Sequence, residues 1–286
     1  MNQATTVAVA VVGSANLDLV VHVPRRPAPG ETLFGTSYSE HPGGKGLNQA
    51  TAAAQHTPTA LVGHHGDDTA GSLLLTHLAR HDVDATHFTT TPGPSGQAHI
   101  TVTPDGENSI IVLPHANNAL TGDQVTTALD ALAPAVVLTQ LEVPPAAVAA
   151  AARWAQAHHA RLLVNASPTG PVPQQVLAAA DPLIVNEGEA QFLADTHDTD
   201  QAAQRLARTC RSVVVTLGAR GALVLANGTT TPVAAPATRP LDTTGAGDTF
   251  AGALAAHLAR GTSLTAAAQL ATHQAADLIQ IPRSER

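Results

Sequence analysis

The sequence is poor in cysteine, aromatic residues and charge, and each shortage excludes a class of protein. The one cysteine, Cys210, cannot form an intramolecular disulfide, which excludes a small secreted scaffold held by disulfides. Lysine and arginine number 14 against 22 aspartates and glutamates, so no basic surface for nucleic acid is expected. No apolar run approaches the ~20 residues of a membrane span, and the first residues do not resemble a signal peptide. We therefore expect a cytoplasmic protein without nucleic-acid or membrane partners.

The apolar residues that are present alternate between predicted strands and predicted helices. Hydrophobic residues make up 44% of the 286 residues, enough for one large domain with its own core. The continuous apolar run 7–12 predicts a strand buried on both faces, and strand–helix alternation resumes from residue 121. Two stretches of short alternating strands, about 14–40 and 95–113, predict a separate small sheet. We expect a single α/β domain with a mainly parallel sheet and a small β lid.

Lysine is nearly absent, which draws attention to its single occurrence. Lys45 lies in a Gly-Gly-Lys-Gly segment, 43–46, directly before a predicted helix over 45–55. The glycines allow a ligand to approach the main chain closely, and Lys45 and Asn48 share the first turn of that helix. A flexible turn without a ligand explains the same glycines, so both interpretations stay open.

A second glycine-rich segment, 242–248, precedes a predicted helix over 246–260. Small residues there let main-chain N–H groups approach an anion at a helix N-terminus. The chain contains neither a Walker A loop nor a complete dinucleotide fingerprint. Asp248 lies in the first helical turn, where a carboxylate beside a phosphate suits a base that accepts a proton from an attacking hydroxyl. A simple helix cap also explains Asp248.

Polar residues at the ends of predicted strands supply further candidates. Asn16 and Asp18 have the spacing that places an amide and a carboxylate on one face of a strand, suited to adjacent sugar hydroxyls; a turn is the alternative. Asn186 and Glu189 follow a predicted strand, where they could hold a hydrated Mg²⁺, but a capping box has the same spacing. Glu142 likewise follows a predicted strand.

Together these motifs resemble the ribokinase branch of the ribokinase/PfkB sugar-kinase family. Two stretches match its signatures almost letter for letter, GGKGLNQA at 43–50 and DTTGAGDTF at 242–250. Six shorter matches lie around them in the expected order, at 13–18, 29–32, 66–68, 140–142, 186–190 and 216–221. The resemblance covers nearly the whole chain and implies a Rossmann-like αβα sandwich in which the short strands form a lid over the sugar.

The resemblance also implies a role for each matching residue. Asp248 is the expected base, and the N–H groups of Gly245, Ala246 and Gly247 are the expected anion hole. The other sugar-binding positions are Asn16, Asp18, Gly44, Lys45, Asn48 and Glu142. The nucleotide-binding positions are Asn186, Thr216, Gly218, Gly221, Gly247 and His273. The metal positions are Asn186 and Glu189 for Mg²⁺, through water or phosphate, and Asp242 and Thr244 for a monovalent cation.

The implied reaction is the ATP-dependent phosphorylation of D-ribose at its 5-hydroxyl, with Mg²⁺ as cofactor and a homodimer formed through the lid. One departure concerns potassium. Members commonly continue past the final helix with an Arg-x-Gly-Ala segment that closes the monovalent-cation site and lines the adenine pocket. Residues 278–286 contain no Gly-Ala, which argues against potassium activation. Two alternatives remain: a related kinase acting on deoxyribose or a nucleoside such as pseudouridine, and a non-catalytic sugar or nucleotide sensor.

Overall fold

Two sheets organise the residues that the computed structural model describes, which are 7–282 and 285–286. The strands are, in chain order, β1 (Val9–Val12), β2 (Asn16–His22), β3 (Ser37–Gly43), β4 (Thr59–Gly66), β5 (Phe88–Thr91), β6 (Gly96–Val102), β7 (Asn108–Leu113), β8 (Val136–Thr139), β9 (Arg161–Asn165), β10 (Ala180–Asn186), β11 (Ser212–Thr216), β12 (Ala222–Ala226) and β13 (Thr229–Val233). The α-helices are α1 (Lys45–Ala54), α2 (Thr69–Arg80), α3 (Gly122–Leu132), α4 (Pro145–Ala157), α5 (Gln174–Ala179), α6 (Glu187–Ala194), α7 (Thr199–Leu206), α8 (Ala246–Ala259) and α9 (Leu264–Leu278). Short 3-10 helices cover His115–Ala119 and Gly218–Arg220.

The large sheet is mainly parallel, with the strand order β13-β12-β11-β10-β9-β8-β1-β4-β5 over the described residues. Only the β11–β12 and β12–β13 pairings in this sheet are antiparallel there. The strand order reverses at β1, because the chain adds β4 on one side of β1 and later β8 on the other. Such a switch point leaves a crevice at the carboxyl ends of the strands, which is where open α/β sheets bind ligands.

Helices cover both faces of the large sheet because its strands are apolar on both sides. β1 is fully buried, as its continuous apolar run predicts. Alternate side chains of this strand enter opposite core layers, Ala10 and Val12 on one face and Val9 and Val11 on the other. α4 fills the first layer with alanines and a tryptophan, and α8 contributes to the second. The expected αβα sandwich is confirmed.

The small sheet has the order β3-β2-β6-β7. β2 and β6 run parallel in its centre, and β3 and β7 pair antiparallel at its edges. These strands come from the two stretches of short strands that the sequence indicates, and β5 joins the edge of the large sheet beside β4.

Two further observations complete the architecture. The short helix α5 is not predicted by the sequence, because six residues are too few to show a helical period. Within 7–282 and 285–286, no helix combines the length and the apolar character needed to cross a bilayer.

Candidate active site

Residues from three segments meet at the switch point of the large sheet. Ser14, just after β1, donates its hydroxyl hydrogen to Glu142 Oε2, with an oxygen–oxygen distance of 2.6 Å. Glu142 lies just after β8, and the same oxygen accepts the main-chain N–H of Lys45 at 3.1 Å. The crevice between β1 and β8 therefore joins the sheet to the first turn of α1.

A cavity of about 270 Å³ opens at this point between the two sheets, and we call it the polar cavity. Its wall contains all seven residues predicted to bind the sugar, which are Asn16, Asp18, Gly44, Lys45, Asn48, Glu142 and Asp248. The small sheet adds an apolar face made of Ala98, Ile100, Ile110 and Val112. Polar groups on one side and aliphatic groups on the other suit a small ligand with several hydroxyls.

Asn16 and Asp18 reach the polar cavity from one face of β2. Asn16 Oδ1 accepts a hydrogen bond from Asn117 Nδ2 at 2.8 Å, which fixes the orientation of the amide. A β-carbon on Gly43 would lie 2.3 Å from Asp18 Oδ2, so the neighbouring strand must carry glycine there. The two residues belong to a strand, and the alternative of a turn is wrong.

Asp248 lies in the first turn of α8 and is 8% exposed. The residue that caps this helix is Gly245, and no side chain bonds to the cap, so the capping explanation for Asp248 fails. The two carboxylate oxygens instead accept side-chain amides, from Asn48 Nδ2 at 3.2 Å and from Gln49 Nε2 at 3.1 Å. α1 therefore holds the carboxylate in one orientation toward the polar cavity.

Gln49 and Asn165 are buried residues that the sequence reasoning missed. Gln49 Nε2 also donates to Asn165 Oδ1 at 3.0 Å, which links Asp248 to the end of β9. Position 49 lies inside the signature at 43–50, but Gln49 is not among the residues that line the polar cavity. Only the packing of α1 against α8 brings it to Asp248.

Lys45 carries a positive charge among several negative ones. Burial lowers the pKa of its ammonium, but nearby carboxylates outweigh burial and raise the pKa above its ordinary value. These carboxylates belong to Asp248, Glu142 and Glu189. Lys45 therefore stays protonated at neutral pH and offsets the charge that Asp248 and Glu142 place around the cavity.

The three residues expected to form the anion hole lie where the loop 241–245 leads into α8. Gly245 has a φ of 78°, a left-handed conformation that favours glycine. Within the described part of the chain, the N–H groups of Gly245 and Gly247 have no hydrogen-bond acceptor, whereas Ala246 donates to the Thr243 carbonyl at 3.2 Å. Of the three predicted amides, those of Gly245 and Gly247 are thus available to an anion.

A second cavity, of about 360 Å³, lies on the other side of this loop, and we call it the small-residue cavity. Its wall includes four predicted nucleotide-binding residues, which are Thr216, Gly218, Gly221 and Gly247. His273 is exposed and does not line this cavity, whereas its neighbour Thr272 does, so a nucleotide contact of His273 stays a prediction. Helix phase decides this, since neighbouring residues of α9 point about 100° apart.

Asn186 and Glu189 form the capping box that the sequence offered as an alternative. Asn186 Oδ1 accepts from Glu189 N, and Glu189 Oε2 accepts from Asn186 N, both at 2.8 Å. The described residues contain no group of three or more histidine, cysteine, aspartate or glutamate side chains that could hold a metal. Binding of Mg²⁺ at Asn186 and Glu189 stays a prediction.

Comparison with known proteins agrees with this geometry. The model of the pfkB family carbohydrate kinase matches residues 7–282. The ribokinase of Bacillus subtilis (strain 168) is 36% identical over 270 residues, 93% of this chain and 91% of its own. The deoxyribokinase of Salmonella typhi is 30% identical over 269 residues, 91% of this chain and 88% of its own. The structure of Arabidopsis thaliana ribokinase complexed with ribose and ATP matches with a TM-score of 0.86 at 29% identity, covering 96% of this chain and 93% of that one.

The ribokinase-like α/β fold, with its separate small sheet, defines the chain as a carbohydrate kinase. It belongs to the pfkB family.

Proposed function

We propose that this kinase transfers the γ-phosphoryl group of ATP to the 5-hydroxyl of D-ribose, giving D-ribose 5-phosphate and ADP. The observation that carries the proposal is the position of Asp248. Its carboxylate lines the polar cavity, and Gly247, its neighbour in sequence, lines the small-residue cavity. A sugar in the first cavity and a nucleotide in the second would meet at this helix N-terminus.

In the proposed reaction, Asp248 accepts the proton of the 5-hydroxyl as its oxygen attacks the γ-phosphorus. The amides of Asn48 and Gln49 hold the carboxylate in place, so no rotamer entropy is lost at the moment of reaction. Phosphoryl transfer depends on positioning more than on a strong base, and a carboxylate therefore suffices.

The charge that builds up on the transferred group would be met at the N-terminus of α8. The N–H groups of Gly245 and Gly247, which have no acceptor among the described residues, and the helix dipole would attract negative charge there. Lys45 adds a protonated ammonium on the polar-cavity side. Asn186 and Glu189 are the candidate residues that would hold Mg²⁺ through water or phosphate, and the ion would supply neutralisation of phosphate charge.

Recognition of ribose would rest on directional polar groups around the polar cavity. Asn16, Asp18 and Glu142 offer one amide and two carboxylates to the hydroxyls, and carboxylates accept hydrogen bonds without donating competing ones. The small sheet would act as a lid that excludes water, the competing phosphoryl acceptor.

A homodimer through the small sheet is part of the proposal. Ile110 and Val112 of the edge strand β7 line the polar cavity, while Ile111 and Leu113 alternate onto the opposite face and are 68% and 38% exposed. An apolar edge strand of this kind is a surface that proteins normally cover. Sedimentation of the protein at several concentrations tests this, and a monomer throughout would reject the dimer.

The reaction is tested by measuring ADP release from Mg-ATP with a panel of acceptors. The panel contains ribose, 2-deoxyribose, fructose and nucleosides including pseudouridine. Turnover on ribose with the highest kcat/KM supports the proposal. A preference for 2-deoxyribose, the substrate class in the name of the Salmonella relative, would keep the mechanism and replace the substrate. Binding of ribose and ATP without turnover would instead indicate a sensor.

A further inference from the structure

The loop 241–247 carries the expected anion hole and is tied to the end of α9. The N–H groups of Leu241 and Asp242 donate to the Ile279 carbonyl at 2.8 and 3.2 Å. The N–H of Thr244 donates to Asp242 Oδ1 at 2.8 Å. These bonds satisfy donors of the loop and leave the carbonyls of Asp242 and Thr244 to be satisfied by other groups.

One guanidinium group satisfies both carbonyls. Arg286 Nη1 donates to the Thr244 oxygen and Nη2 to the Asp242 oxygen, each at 2.6 Å. Its Nε and Nη2 also donate to the Ile281 oxygen, at 2.9 and 2.7 Å. Arg286 thus links the loop to the segment that follows α9 by charge-assisted hydrogen bonds, which are shorter and stronger than neutral ones.

Asp242 and Thr244 are also the residues to which the resemblance assigned a monovalent cation. The structure does not fit that expectation. Their carbonyl oxygens point at a guanidinium, and a potassium ion on the same oxygens would lie next to a permanent positive charge of the same sign. The site already holds a cation that belongs to the protein.

We infer that Arg286 takes the place of the monovalent cation and that this kinase works without potassium. The inference rests on the proposed function, because it assumes that the loop serves phosphoryl transfer. The Thr244 carbonyl and the Gly245 N–H belong to one trans peptide plane and point in opposite directions. By fixing that carbonyl, Arg286 directs the Gly245 N–H away from itself, as an anion hole requires. Arg286 is therefore a positioning residue.

The test compares the wild type with Arg286→Ala, Arg286→Lys and a control, Arg153→Ala. Arg153 is an exposed arginine of α4 on the other core layer, so its loss removes the same charge away from the loop. Activity and melting temperature are measured in potassium, sodium and tetramethylammonium chloride at equal ionic strength. The melting curves are recorded without substrate, so that this part of the test holds even if ribose proves to be the wrong acceptor.

We expect the wild type and Arg153→Ala to have the same kcat in all three salts, within about twofold. Arg286→Ala should lose about 10²-fold in kcat in tetramethylammonium, because the Gly245 N–H is no longer held in its orientation, and should regain melting temperature and kcat selectively with potassium. Arg286→Lys should have a kcat and a melting temperature between those of the wild type and those of Arg286→Ala. Potassium activation of the wild type overturns the inference. The inference is also overturned if Arg286→Ala has the kcat and melting temperature of the wild type. It is overturned as well if the three salts change the kcat and melting temperature of Arg286→Ala equally.

Discussion

The two cavities on either side of loop 241–247 are built from different chemistry. The polar cavity is lined by carboxylate, ammonium and amide side chains that are buried or half-buried, beside the aliphatic face of the small sheet, and Gln49 holds the Asp248 carboxylate. The small-residue cavity is lined mostly by glycine, alanine, proline and threonine, together with Phe250 and Ile279, and its described wall contains no charged residue. In the proposed function, the first cavity would recognise its ligand by directed side chains, and the second would do so by shape and main-chain groups.

The difference has a consequence for specificity. A buried polar side chain that loses its partner costs free energy, so the polar cavity can reject a ligand that lacks one hydroxyl. A wall of small apolar residues discriminates mainly by volume. We therefore expect substitutions around the polar cavity to act on chemistry and acceptor choice, and those around the small-residue cavity to act on nucleotide affinity and on folding.

The largest effect is expected at Asp248. The near-isosteric Asp248→Asn removes the proton acceptor and should lower kcat by about 10³-fold while the protein still binds ribose. Steady-state kinetics give kcat, and calorimetric titration gives ribose affinity. A kcat close to that of the wild type would show that Asp248 is not the base.

The matched glycines Gly221 and Gly218 come next, because they test the role of shape around the small-residue cavity. Gly221 has a φ of 92°, and a β-carbon there would lie 2.0 Å from the Val233 carbonyl oxygen. Gly218 has a φ of 57° and open space around it. We expect Gly221→Ala to lower the free energy of unfolding by about 3 kcal/mol and Gly218→Ala by about 1 kcal/mol. Equal urea unfolding midpoints for the two variants would contradict the close contact expected at Gly221 and the open space at Gly218.

A substitution of Asp18 tests whether the polar cavity binds the hydroxyl groups of the sugar. Asp18→Ala should raise the KM for ribose about 10- to 100-fold, because a buried hydroxyl loses its acceptor, and leave the KM for ATP unchanged. Glu40→Ala, which removes an exposed carboxylate from the same small sheet, serves as the control. If both variants keep the wild-type KM for ribose, Asp18 does not contact the sugar.

The smallest effect concerns the adjacent residues Thr272 and His273 on α9. Thr272→Leu adds volume to the small-residue cavity and should raise the KM for ATP about fivefold without changing the KM for ribose. His273→Ala should leave both constants unchanged, since His273 is exposed. A raised KM for ATP in His273→Ala, with an unchanged KM for ATP in Thr272→Leu, would instead support the predicted role of His273.

The sequence predicts the fold well because its signals are local. The strand β1 is a continuous apolar run, and the helix predicted over 246–260 is α8, Ala246–Ala259, in the structure. The seven residues predicted around the polar cavity also come together as expected, because they lie in motifs whose order the resemblance fixes. Whether each of them has the predicted role stays open until the kinetics are measured.

The parts that the sequence did not predict depend on contacts between distant segments. Gln49 reaches Asp248 across 199 positions of sequence, and only the packing of α1 against α8 creates that contact. The choice between Thr272 and His273 depends on the rotation of α9, which is set by what the helix packs against. The amide of Ala246 is occupied by the Thr243 carbonyl, and a local turn geometry of this kind is not visible in the residue types.

By itself, the sequence determined the α/β class, the positions of most strands and helices and the residues that line the polar cavity. It could do so because burial periodicity and glycine-rich turns act over a few neighbouring residues. The tertiary structure alone decided that Arg286 bonds the carbonyls of Asp242 and Thr244, which lie more than 40 positions earlier in the chain. Hydrogen bonds between distant segments depend on the relative placement of whole elements, and no local pattern encodes that placement.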